Sequence, residues 1–162
     1  MLDKTSPLFA QTHHYVSIFP ARVLRHDPDI GLSTLLFAGG ELRVPLVDAV
    51  VGTAIEVEID ARDVSIALSR PMDVSILNRL PGAIVELDFL PPPFTRARLS
   101  LGGAHVDALI THESVERLAL VEGLSAWAMI KTVAVSGRTL DPDEAPLPRQ
   151  WPTSDRTSRA RR

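Results

Sequence analysis

The sequence predicts an all-β chain built as two small barrels in tandem, and three observations carry that expectation. First, two stretches can be laid on each other by their glycines. Gly39-Gly40 in LLFAGGELRV matches Gly102-Gly103 in RLSLGGAHVD, and Gly52 in VVGTAIEVEID matches Gly123 in VEGLSAWAMIK. Each copy therefore reads strand, glycine pair, strand, glycine, strand. Second, the segments between these marks alternate polar and apolar residues, as half-buried strands do. Third, many short strands joined by glycine turns are the pattern of small β-barrels. With 162 residues, 45% of them hydrophobic, the chain suits one compact unit or two small lobes.

Taken in order, residues 1–15 read as a tether, with Pro7 and the polar run Gln11-Thr12-His13-His14. The first half is expected over 16–70. Val16 to Leu24 is β-branched and aromatic and predicts a strand, His26 to Gly31 a turn, and Leu32 to Phe37 the return strand of a hairpin. Glu41 to Val47 alternates, and Ala54 to Asp60 does so more cleanly, with Ile55, Val57 and Ile59 on one face and Glu56, Glu58 and Asp60 on the other. The connecting stretch Asp73 to Gly82, DVSILNRLPG, leads into a second half expected over 71–137. There, strands are predicted at Ala83 to Phe89, Thr95 to Leu101, His105 to Ile110 and Ala126 to Val135, with Pro91-Pro92-Pro93 turning the first connection away from helix. Residues 138–162, proline-rich and ending in TSDRTSRARR, lack the apolar content to fold and read as a solvated tail.

The copies differ in length. The matched glycine pairs are 63 residues apart and the matched single glycines 71, so the second copy holds eight extra residues, in THESVERLAL. Thr111, Ser114, Val115, Leu118 and Leu120 there predict a single capped helical turn. A helix start is a place where anions bind.

Candidate chemistry falls in three places: Ser75 with Asn78 in SILN, Thr111 with Ser114 in ITHES, and Lys131 with Thr132 in AMIKTVAV. All offer hydrogen-bond donors. Lys131 is one of two lysines in the chain, and its counterpart in the first copy is Asp60, so the repeat changes sign there. Taken singly, each hydroxyl is explained as a turn or helix cap and Lys131 as a solvated strand residue. Together they match what a small tetrahedral dianion without a proton requires: hydroxyls, amides, one fixed positive charge and no carboxylate nearby.

The segments IEVEIDARDVSIAL, SILNRLPG, LSLGGAHVDALITHESVERLAL and EGLSAWAMIKTVAV, in this order, resemble the tandem molybdate-binding (Mop/TOBE) region. They are similar in particular to the C-terminal regulatory part of molybdate ABC-transporter ATP-binding subunits. The resemblance spans about residues 17–137. It implies two five-stranded barrels of the oligonucleotide/oligosaccharide-binding type, a homodimer, and molybdate or tungstate held near the subunit interface as an oxyanion, with no side chain on the metal and no further cofactor. Carried over by motif, Ser75, Leu77, Asn78, Thr111, Ser114, Lys131 and Thr132 are the oxyanion-binding residues. The family pattern S-x-R-N has Arg where this chain has Leu77, so that charge is missing and a backbone amide is the contact Leu77 can make.

No G-x-x-x-x-G-K-S/T is present, so the chain has no phosphate loop for ATP and is not expected to be an enzyme by itself. It reads as a regulatory domain that works with an ABC ATPase domain and a membrane permease through a parent chain. The alternative is a free-standing molybdate-binding or storage protein. An enzyme built on His13, His14, His26, His105 or His112 is disfavoured, because no spacing sets two imidazoles on one metal. A nucleic-acid-binding module is disfavoured too, by 5% aromatic residues and a net charge of -3. Without cysteine there is no disulfide scaffold. No apolar run approaches the ~20 residues of a membrane span, and no signal peptide is read at the N-terminus. A cytoplasmic location is expected, peripheral to the inner membrane if the chain belongs to the transporter.

Overall fold

The structure, a computed structural model, describes residues 14–144. The rest of the expected tether and residues 145–162 of the expected tail lie outside the described residues. Among the described residues ten strands form two five-stranded sheets, with one α-helix beside them, and the buried apolar side chains of both sheets make one hydrophobic cluster. The first sheet is built from β1 (Val16–Asp27), β2 (Leu32–Phe37), β3 (Gly40–Pro45) and β4 (Ala54–Asp60). The second contains β5 (Val64–Ala67), β6 (Asn78–Phe89), β7 (Phe94–Ser100), β8 (His105–Thr111) and β9 (Ser125–Ile130), with α1 (His112–Leu118) between the last two. β10 (Ser136–Thr139) ends the series.

The two sheets exchange their fifth strands. β5 follows β4 in the chain but pairs with β9, Val64 facing Ile130, in the order β5-β9-β6-β7-β8. β10 follows β9 but pairs with β4, Ser136 facing Glu58, in the order β10-β4-β1-β2-β3. A division at 70/71 thus leaves each barrel's fifth strand in the other segment.

The alternation read from Ala54 to Asp60 is realised: Ile55, Val57 and Ile59 are buried while the acids between them are half-exposed. Their apolar face joins Phe19, Val23, Leu35, Phe37 and Leu42 of the first sheet, and Ile84, Leu99, Val106, Ala128 and Ile130 of the second belong to the same hydrophobic cluster. β1 and β6 each carry a bulge at the matched place, between Val23 and Arg25 and between Ile84 and Glu86. Such bulges bend a long strand so that it serves both sides of a small barrel.

The glycine pairs that mark the repeat meet each other. A Cβ at Gly39 would collide with the Leu101 carbonyl oxygen, and one at Gly102 would lie 3.2 Å from the Ala38 carbonyl oxygen, so the two hairpin turns touch across the seam between barrels. Gly40 and Gly103 share φ of 120°, a conformation that side chains disfavour.

Three expectations need correction. The last predicted strand, Ala126 to Val135, stops at Ile130, where Thr132–Ala134 form a 3-10 turn before β10. β6 begins at Asn78 rather than Ala83, because ladder pairing with β9 runs through Pro81 and Gly82 despite their poor strand propensity. The tail expected from Arg138 starts later: Arg138 and Thr139 belong to β10, Leu140 is buried with its N–H donating to the Ala54 carbonyl (2.9 Å), and Arg138 pairs with Glu56 and Glu144.

Candidate functional site

Asn78 opens β6 and is 2% exposed. Its side-chain oxygen accepts from the Arg43 backbone N–H (2.7 Å) and its Nδ2 donates to the Arg43 carbonyl (2.8 Å), with Thr132 Oγ1 a further 3.5 Å contact. This clamps β3 of the first barrel onto β6 of the second. The register supplies a counterpart. Ser17 faces Ile59 as Asn78 faces Ile130, and Ser17 Oγ accepts from the Asp107 backbone N–H (2.9 Å). Side chains at the matched positions Ser17 and Asn78 therefore each bond to backbone of the other barrel.

Lys131 sits between β9 and the 3-10 turn Thr132–Ala134, with no side-chain bond to the turn. It is exposed and, among the described residues, has no ion-pair partner. Thr132 beside it is buried. The matched Asp60 behaves otherwise. It precedes the 3-10 turn Ala61–Asp63, and its Oδ1 accepts from Arg62 N (2.8 Å) and Arg62 Nε (3.0 Å) while its Oδ2 accepts from Arg62 Nη2 (2.8 Å). The Arg62 side-chain bonds hold the Asp60 carboxyl down at about 2 from an ordinary 3.8. So the acid of the first copy is neutralised by its own turn, whereas the cation of the second faces solvent unpaired.

Thr111 and Ser114 come together as the helix cap. Thr111 Oγ1 accepts from Ser114 N (3.1 Å), and the two hydroxyls are 2.9 Å apart. The expected helical turn is present, but its amide at Ser114 is taken by Thr111 and its amide at His112 by the Pro93 carbonyl. Ser75 and Leu77 lie in the exposed connection ahead of β6. The seven predicted residues thus form two bonded pairs, Asn78 with Thr132 and Thr111 with Ser114. Ser75, Leu77 and Lys131 stand free at the surface, and no hydrogen bond among the described residues joins the two pairs.

Beside α1 is a cavity of about 220 Å³, whose polar lining is Arg62, Ser65 and Ser114 against Val64, Leu109 and Leu118. No carboxylate lines it. Arg62 and Ser65 belong to the first copy and escaped the sequence reading. The available signal was the matched turn: one copy reads Asp60-Ala61-Arg62, the other Lys131-Thr132-Val133, so each turn carries a single cation at a different place. His26, among the imidazoles considered for catalysis, is engaged structurally, with Nδ1 2.7 Å from Ser33 Oγ and Nε2 2.7 Å from the Ala49 carbonyl oxygen.

The TOBE domain family matches residues 74–137, a stretch that contains all seven predicted residues, and the chain carries a TOBE domain there. Its relatives are molybdenum import ATP-binding proteins. It is 39% identical over 121 residues to the molybdenum import ATP-binding protein ModC of Albidiferax ferrireducens, covering 75% of this chain and 33% of that protein. To ModC 2 of Azotobacter vinelandii it is 42% identical over 116 residues, covering 70% of this chain and 32% of that protein. The chain spans about a third of the length of these curated relatives. Among solved structures it shares its fold with the cytoplasmic molybdate-binding protein ModG, with a TM-score of 0.64, 21% identity, and coverage of 74% of this chain and 93% of that one. No helix among the described residues is long and apolar enough to cross a membrane.

Proposed function

We propose that this chain binds molybdate or tungstate as a regulatory domain of the ATP-binding subunit of a molybdate ABC importer. The observation that carries this reading is the asymmetry between matched turns: Asp60 is consumed by Arg62, whereas Lys131 stands unpaired next to Thr132 and Asn78. A cation left free beside the Thr132 hydroxyl suits an oxyanion that needs only donors, with Asn78 holding that hydroxyl in place. Relatives named as molybdenum import proteins support the same ligand class and, through the parent chain, the ATPase domain and permease as partners. The protein then works at the cytoplasmic face of the inner membrane.

The ligand shell is proposed to close in a homodimer. Ser75, Leu77 and Lys131 are surface residues of one chain, and apolar side chains lie exposed beside them, Leu77 at 51% and Val133 at 83%. A second copy covers such side chains and adds donors to the shell. A free-standing molybdate-binding protein is the second reading, favoured by the fold match that spans 93% of ModG.

Calorimetric titration of the chain with molybdate, tungstate and sulfate, with light scattering on the same samples, tests the proposal. Saturable heat for molybdate or tungstate from a dimer is expected. A chain that stays monomeric and gives no heat with either ion removes this reading.

A further inference from the structure

We propose that Arg62 and Ser65, both from the first copy, bind the oxyanion together with Ser114 in the cavity beside α1. This rests on the oxyanion-binding reading above and names residues that neither the repeat pattern nor the S-x-x-N motif supplies. The cavity is lined on its polar side by Arg62, Ser65 and Ser114 alone. Arg62 is held through Nε and Nη2 by Asp60, which leaves Nη1 without a protein partner among the described residues. A guanidinium anchored at one edge presents its other edge at low entropic cost, and planar guanidinium groups suit oxyanions. It provides, from another part of the chain, the kind of charge that is absent at Leu77.

The corresponding place in the first barrel makes the contrast. A groove of about 310 Å³ lies there between β3 and β10, lined by Leu35, Val44, Ile55 and Val135 with Asp48 and Arg138. Ser136 in that groove is the match of Ser65. The match of Arg62, however, is Val133, which is exposed and does not line the groove, and Asp48 puts a carboxylate there. One position in the repeat thus has an acid, Asp48, beside Arg138 in one barrel, and a guanidinium with two hydroxyls and no lining carboxylate in the other. The eight extra residues of the second copy contribute Ser114 and Leu118 to the version without a carboxylate. Such a lining suits a fully ionised oxyanion, toward which the guanidinium and both hydroxyls can donate and no lining carboxylate repels.

The test is molybdate titration of the full chain as parent, Arg62→Gln, Ser65→Ala, Asp60→Asn and Lys131→Ala, with a melting temperature for each. Arg62→Gln is expected to weaken binding at least tenfold and Ser65→Ala a few-fold. Asp60→Asn keeps a cap oxygen while removing the charge that competes for the guanidinium, and is expected to bind at least as tightly as the parent. Parent-like affinity in Arg62→Gln overturns the inference. So does an equal loss of affinity in Asp60→Asn and Arg62→Gln that tracks their melting temperatures, because the pair then acts only in holding the fold. If Lys131→Ala loses binding and Arg62→Gln keeps it, this inference alone falls. A parent that binds no molybdate takes the oxyanion reading with it.

Discussion

Truncating Lys131 to alanine removes an unpaired cation without breaking any bond of the fold, since its side chain makes none to the turn it precedes. The expected loss is that of one charge-assisted bond, about 2 to 3 kcal/mol, or roughly 30- to 150-fold in molybdate affinity. Titration of Lys131→Ala beside Asp60→Asn reads it, and a parent-like affinity in Lys131→Ala puts the site elsewhere. Asn78→Ala should behave in the opposite way. It orphans the N–H and carbonyl of Arg43, both bonded to the Asn78 amide, and is expected to destabilise the fold by about 2 to 3 kcal/mol. A urea denaturation midpoint that does not move would refute the clamp. The sequence showed that Asn78 mattered in a motif, but its bond to a backbone 35 residues away is a product of the seam and leaves no local trace. Arg62 was hidden for a similar reason, because between Asp60 and Asp63 it reads as a charge satisfied by its neighbours.

Among the elements, the 3-10 turn after β4 has a pH signature. The Asp60 carboxyl is held at about 2 when folded against 3.8 when free, so the folded state favours its ionised form. That stability is fully present above the free value and is lost as pH falls through the range from about 4 to 2. Melting temperatures from pH 5 down to 2 should show the advantage of the parent over Asp60→Asn shrinking as pH falls, and an advantage that stays constant would remove the assignment. The longer elements were legible where a rule with one period governs them: alternation gave β4, the hairpin signals gave β1 and β2, and Thr111 with Ser114 three residues on gave the cap of α1. β5 and β10 were not legible. Each is four residues long: SGRT in β10 is exposed throughout and carries no hydrophobic pattern, and VSIA in β5 alternates over too few residues for its period to stand out. Their strand character comes from backbone pairing with β9 and β4, which is a tertiary effect.

For the molecule as a whole, the repeat predicted two barrels and the structure has two, but the connections between them follow the exchange rather than the repeat. Co-expressed fragments 1–70 and 71–162 should therefore associate, each bringing the other's fifth strand, whereas either alone should fail to give a cooperative unfolding transition. Size-exclusion chromatography with thermal unfolding checks both, and a fragment that folds cooperatively alone would contradict the exchange as a stabilising feature.

Because β5 leaves the turn of Arg62 to lie along β9, and β10 leaves the turn of Lys131 to lie along β4, the two barrels are mechanically interlocked, like a pair of clasped hands. Opening one requires withdrawing a finger from the other. Ligand held at the second barrel should then slow the rarest openings of the first, at backbone sites that never meet the ion. Hydrogen exchange of the β4 amides from Ile55 to Ile59, followed with and without molybdate, should report the ion's arrival through a strand that makes no contact with it.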